Sequence, residues 1–152
     1  MSGVSIRFGF DDAAITRHLA QLAILDSTQF NNTRREIGEY FLGEIQDCFD
    51  RQKLADGTPM KQSAAAIKRR GKTLIEHHHL YDSYAYQLAA GGVEIGSDLV
   101  YAAIHHFGGE TGRGHKTKLD ARPVMGMTER HERAVGDYLI AALRGAGPGA
   151  IA

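Results

Sequence analysis

Eight histidines, one cysteine, a glycine-rich stretch and one basic run are the parts of this chain that could do chemistry. A zinc centre needs three or four convergent ligands, and ligand pairs on a helix sit at i, i+3 or i, i+4 so that they share a face. Here His77, His78 and His79 are consecutive, as are His105 and His106, and adjacent residues point in different directions on either a helix or a strand. No HExxH, no CxxC and no carboxylate pair with a histidine at ligand spacing accompanies them. They read as polar surface or interface residues, with a histidine-built, metal-dependent hydrolase as the alternative. Cys48 falls on the apolar face of a helical pattern, where a thiol is inert, and no GxSxG occurs. The glycines of GGETGRG neither follow a strand nor open a helix, as a phosphate-cradling loop must, and no GK[ST] accompanies them. Catalytic residues, metal ligands and cofactors are therefore expected to be none. The basic run Lys68-Arg69-Arg70, flanked by Lys61 and Lys72, reads as a solvated face or as a contact for phosphate or an acidic partner surface.

The elements that must carry these residues follow from periodicity. Val4, Ile6, Phe8 and Phe10 alternate with Ser5, Arg7 and Gly9, the period of a half-buried strand. Asp11 or Asp12 can cap a helix with Ile15, His18, Leu19, Leu22 and Leu25 on one face. Ser27 or Thr28 opens a longer helix. On it Phe30, Ile37, Phe41, Ile45, Cys48 and Phe49 line one side, while Arg34, Arg35, Glu36, Glu39, Glu44 and Asp47 mostly cover the other. Asp56-Gly57-Thr58-Pro59 is a turn, and residues 62–72 have high helix propensity up to Gly71. Tyr84, Tyr86 and Leu88, then Val93 and Ile95, alternate on either side of Ala89-Ala90-Gly91-Gly92, the signature of a hairpin.

After a turn at Gly96-Ser97-Asp98, a short helical or bent segment carries Tyr101, Ala102, Ile104 and Phe107 and stops at Gly108-Gly109. Tyr101 and Phe107 are core candidates, and His105 can hydrogen-bond backbone near the Gly108 turn. Residues 108–120 contain almost no apolar side chain except Leu119 and read as a long, exposed, mobile loop. Ala121-Arg122-Pro123 returns the chain to an ordered body. Thr128 opens a last helix to about Arg144, with Val135, Tyr138, Leu139, Ala142 and Leu143 on its apolar side. Residues 146–152 read as a disordered tail.

The expected fold is α+β: a small antiparallel sheet packed against a long amphipathic helix and a C-terminal helix, with a long exposed loop, all in one domain over residues 1–145. A chain of 152 residues is long enough for one real core and too short for two comfortable ones. Eighteen basic and eighteen acidic residues balance, which argues against a dedicated nucleic-acid binder, because such proteins carry a basic excess. A lone cysteine fits a reducing compartment, and neither a secretory leader nor a membrane-spanning stretch is expected.

The order of small motifs adds a resemblance. DGTP at residues 56–59, Leu80 with Ser83, VEIGS at 93–97, YAAIHHFGG at 101–109 and ARPVMG at 121–126 occur in series. The series resembles the virion-morphogenesis or tail-completion family of tailed phages, the group that includes protein G of phage Mu. That family shows a DGxPW-like turn, a leucine–serine segment, an IG…YAxxHxFG block, a loop and ARPFLG. The residues matching the family pattern are Asp56, Gly57, Pro59, Gly96, Tyr101, His105, Phe107, Gly108, Ala121, Arg122, Pro123 and Gly126. The likeness covers about residues 30 to 145. Met60 stands where the family commonly has Trp, and His78-His79 where it usually has Thr-Gly; methionine is adaptable enough to fill the same core position.

The resemblance implies a structural virion protein without catalysis, acting in tail completion or head–tail joining. It also implies a homo-oligomeric ring at the tail end or neck, with a tail terminator, tail tube or head connector as partner. Long loops are often functional, so Arg113, His115, Lys116 and Lys118 are the expected assembly contacts, with Arg122 anchoring the loop's return. The rival is a nucleic-acid-binding assembly factor using Lys61, Lys68, Arg69, Arg70 and Lys72.

Overall fold

A computed structural model describes residues 29–89 and 91–145. The strand expected at 4–10, the helix expected at 15–25 and the tail at 146–152 lie outside the described residues, as does Ala90 at the hairpin turn. The rest is α+β, as expected, with the elements α1 (Gln29–Asp50), α2 (Ala64–Arg69), α3 (His79–Asp82), β1 (Tyr84–Ala89), β2 (Gly92–Ser97), α4 (Ala102–Phe107), β3 (Gly109–Thr111), β4 (Thr117–Leu119) and α5 (Glu129–Gly145).

The 22-residue α1 is the spine. Its apolar spacing buries Ile37, Ile45, Cys48 and Phe49, and Asn31 and Asn32 brace its first turns by accepting from Arg34 and Arg35. The helix ends in a Schellman closure: Lys53 N–H donates to the Cys48 carbonyl at 2.9 Å and Gln52 N–H to that of Phe49 at 3.3 Å. Gln52 takes the left-handed position at φ 52°, where glycine is the usual occupant. Its amide explains the exception. Nε2 donates to the carbonyls of Phe49 and Thr73, and Oε1 accepts the Thr73 N–H at 2.6 Å, so the strained residue ties the helix end to a fully buried threonine.

β1 and β2 pair antiparallel from Tyr84↔Ser97 to Ala89↔Gly92, a two-residue connection through Gly91 at φ 78°, as the glycine turn predicts. The hairpin lies on α1, where Gly38 lets it approach: a methyl at that position would stand 2.6 Å from the Tyr86 ring. Tyr86 Oη then donates to Glu39 at 2.9 Å. On the other flank of α1, α5 packs through Tyr40 and Tyr138, whose ring centroids are 6.0 Å apart. The core joins Ile45, Cys48 and Phe49 to Met60, Leu80, Tyr84, Ala102 and Val124. Met60 therefore fills the interior position where the resemblance expects tryptophan.

Three expectations are corrected. Residues 108–120 are not an irregular loop but carry a second antiparallel pair, β3 and β4, in the register Gly109↔Leu119, Glu110↔Lys118, Thr111↔Thr117. The register sets Thr111 opposite Thr117 and Glu110 opposite Lys118, a polar ladder with no apolar alternation to announce it. Phe107 and Tyr101 are not core residues: 77% and 42% of their surface is exposed. On a six-residue helix the buried face is set by what lies beneath it, here through Ala102. Finally, α2 is shorter than residues 62–72 and is closed by Arg70 in the left-handed region, one residue before Gly71.

Candidate functional site

Motif residues of YAAIHHFGG and ARPVMG meet at the base of the β3–β4 hairpin. Gly108 sits at φ 72°, and a side chain there would meet the Ala121 amide nitrogen at 2.8 Å and the Leu119 carbonyl at 2.9 Å. Only glycine fits both the backbone angle and the approach. The two ends of the hairpin are thus pinched together. Next to the pinch, Arg122 is buried at 6% exposure. Its N–H donates to the His105 carbonyl at 2.9 Å, Nε to the Lys61 carbonyl at 3.2 Å and Nη1 to the Asp120 carbonyl at 3.1 Å. The guanidinium and the amide of one residue thus tie residues 61, 105 and 120 together.

The turn at Asp56 supports the same region from behind. Asp56 Oδ1 accepts from the Thr58 N–H and hydroxyl at 2.9 and 2.7 Å, which holds its carboxyl below the usual range. Gly57 at φ 87° completes the turn, and Lys53 and Pro59 form a bridge across it. Ala55 N–H then donates to the Pro123 carbonyl at 2.9 Å, and a side chain at Gly126 would press on the Ala55 methyl at 3.0 Å. Ala55, the residue before DGTP, thus joins that turn to ARPVMG, sixty-odd residues further along. Gly96 lies in β2 instead, opposite Ala85.

Beyond the pinch, Arg113, His115, Lys116 and Lys118 are all exposed. Gly112, Gly114 and His115 adopt positive φ of 81°, 74° and 54°, and His115 N–H donates to the Gly112 carbonyl at 3.2 Å. Of the tip's cations only Lys118 faces an acid across the ladder, Glu110. The result is a projecting, cationic, polar tip on a fixed base.

The five cations of the basic segment separate into two groups. Lys61 pairs with Asp120 at 2.8 Å, and this hydrogen bond holds the Asp120 carboxyl below its ordinary value, with Arg122 and Lys118 adding to the effect. Arg69 Nη2 donates to the carbonyls of Lys72 and Ile75, and Lys72 donates to the Asp50 carbonyl. Lys68 and Arg70 are exposed. The segment is therefore largely engaged in holding its own fold.

No three His, Cys, Asp or Glu residues form a metal-binding group among the described residues. His77 and His79 lie ring to ring at 5.9 Å. His105 and His106 turn inward, and neither Nδ1 has a hydrogen-bond partner among the described residues, so the expected bond from His105 to backbone near Gly108 is not made. Burial holds both imidazoles below their ordinary value, and the Arg122 charge adds to this at His105. Burial likewise pushes the Cys48 thiol up, consistent with an inert packing residue.

One cluster was not foreseen. His131, only 3% exposed, accepts the Thr128 N–H on Nδ1 at 3.2 Å, while the Thr128 carbonyl accepts from Glu132. The contact from the Thr128 N–H to the side chain three residues on is one half of a capping box, with histidine in the place of Glu or Gln. Its Nε2 lies 3.4 Å from Glu44, onto which Arg130 forks through both terminal nitrogens. Burial raises the Glu44 carboxyl, but Arg130 and His131 outweigh it and leave it below the ordinary value. The signal in the sequence was the spacing Thr128-x-x-His131 at the head of an apolar run. Beside this cluster, an apolar groove of about 610 Å³ runs between α1, the β1–β2 turn and α5, lined by residues including Phe30, Ile37, Val93, Met127, Val135 and Leu139.

Comparison with known proteins places this architecture. The phage virion morphogenesis family matches residues 10–144. Over 64 residues, 42% of the chain, the sequence is 36% identical to the Mu-like prophage FluMu G protein 2 of Haemophilus influenzae. That alignment spans 46% of the relative's length. No solved structure matches.

Proposed function

This chain belongs to the phage virion morphogenesis family, and on that premise we propose that it acts in tail completion or head–tail joining as a non-catalytic ring component at the tail end or neck. The observation that carries the reading is the clamp that joins YAAIHHFGG to ARPVMG, braced by Ala55 beside DGTP, at the base of an exposed hairpin. A scaffold that fixes the base of a polar, cationic element and leaves its tip in solvent is built to meet another surface. Arg113, His115, Lys116 and Lys118 are the contacts, and the partner is a tail terminator, a tail tube or a head connector. Charged rims of this kind set register and approach more than affinity. Assembly itself requires no turnover of substrate. No helix among the described residues is long and apolar enough to cross a membrane, and the working location is the virion.

The test is electron microscopy of lysates from the parent phage lacking this gene. Filled heads beside separate, finished tails establish joining, and tails of irregular length move the protein to termination. Normal infectious particles overturn the reading.

A further inference from the structure

The apolar groove between α1, the β1–β2 turn and α5 has Phe30, Ile37 and Phe41 in one wall and Val135 and Leu139 in the other. Met127 at its rim is 61% exposed and Leu139 is 36% exposed. The two charged side chains of the lining, among the described residues, are already engaged: Arg34 donates to Asn31, and Glu44 pairs with Arg130. At the head of α5, Arg133 pairs with Glu129. The occupant that such walls suit is apolar and nearly uncharged.

We infer that this occupant is the chain's own residues 13–25, docked along the groove as an amphipathic helix antiparallel to α1. Phe30, the second residue of α1, lies in the groove wall, so the chain that enters α1 arrives at the groove. Of the residues before it, 13–25 carry one full charge, Arg17, and set Ile15, Leu19, Leu22 and Leu25 at helical spacing. Asp26-Ser27-Thr28 supplies the short connection that antiparallel helices use. A helix over 15–25 rises about 15 Å, which matches the stretch of α1 from Phe30 to Phe41. On that stretch Thr33 and Ile37 are buried at 6% exposure, yet both lie outside the core cluster. A helix of this length is marginal alone in water, and the groove supplies the apolar face that holds it. The family match spans residues 10–144 and so takes in both the segment and the walls.

This contact is internal to one copy, and it stands or falls independently of any role in the virion. The experiment is hydrogen exchange read by mass spectrometry on the full chain, at two well-separated protein concentrations. It compares the natural chain with L19D/L22D, with M127E/L139E and with R17D, a control on the opposite face of the helix. In the natural chain, exchange over 13–25 is expected to be slowed about tenfold or more relative to a free peptide of the same sequence, at both concentrations. L19D/L22D loses that protection and speeds exchange over 127–139, while residues 105–122 report an unchanged fold. M127E/L139E, at two exposed positions of the groove, speeds exchange over 13–25, and R17D moves neither segment. If L19D/L22D also exposes 105–122, the groove variant decides alone. Exchange over 13–25 at the free-peptide rate in the natural chain overturns the inference and leaves the groove to another virion protein. Protection that disappears on dilution overturns it in favour of a second copy. Protection over 13–25 that M127E/L139E leaves intact overturns it by placing the segment elsewhere.

Discussion

Arg122 shows how one residue can decide the geometry of a site it does not itself expose. Its guanidinium serves two carbonyls, of Lys61 and Asp120, while its own amide holds His105. Truncation to alanine removes the donor from two part-buried bonds and takes away a packed, buried side chain. We expect Arg122→Ala to cost about 2–4 kcal/mol in chemical denaturation and Arg122→Lys to recover little, because a point ammonium cannot reproduce the fork. Titration tests the neighbouring histidines. His105 and His106 are held below their ordinary value of 6.5 by burial, with Arg122 contributing at His105. The unfolded chain therefore takes up protons first, and stability falls as pH drops from 6.5 through the folded values of these groups. Glu44, held below its ordinary 4.5 by Arg130 and His131 against the opposing effect of burial, extends the loss in the same direction at lower pH. Denaturation midpoints measured stepwise from pH 7 to pH 4 should decline monotonically, and replacing both histidines by asparagine should flatten the upper part of that decline.

At the scale of elements, the sequence was most informative where burial repeats with a fixed period. The apolar spacing along α1 and the alternation on either side of Gly91-Gly92 were legible because every turn or pleat repeats the same requirement. The short elements were not. The face that α4 buries follows from Ala102 meeting the core, so aromatic character misplaced Tyr101 and Phe107. In β3 and β4 the ladder is made by Glu110 with Lys118 and Thr111 with Thr117, a polar pattern that carries no hydrophobic signal. The cap of α5 was missed because histidine is an unusual acceptor at that position. It offers a clean test: His131→Ala should destabilise by about 1–3 kcal/mol through the lost cap and lost contact with the Tyr40 and Phe41 rings. His131→Gln, which retains an acceptor at capping-box spacing, should recover part of that loss. Equal losses in the two variants, read by urea denaturation, would assign the effect to ring packing alone.

The described residues form a helix-backed scaffold in which YAAIHHFGG and ARPVMG meet at one clamp, with Ala55 beside DGTP bonded to it and Gly96 apart in β2. The resemblance identified those motifs, but their contacts with each other became visible only in three dimensions, since nothing in DGTP predicts that Ala55 will bond to Pro123. What the clamp displays is the hairpin tip, and the account stands on that tip being an assembly contact. The most direct measurement is complementation of the gene-deleted phage by the variant R113S/K116S/K118S, with infectious titre and particle morphology as readouts. These side chains are exposed, so the purified variant should unfold at the natural midpoint. The account predicts a folded protein that leaves heads and tails in the state seen without the gene. Full titre and normal particles from the same folded variant would contradict it.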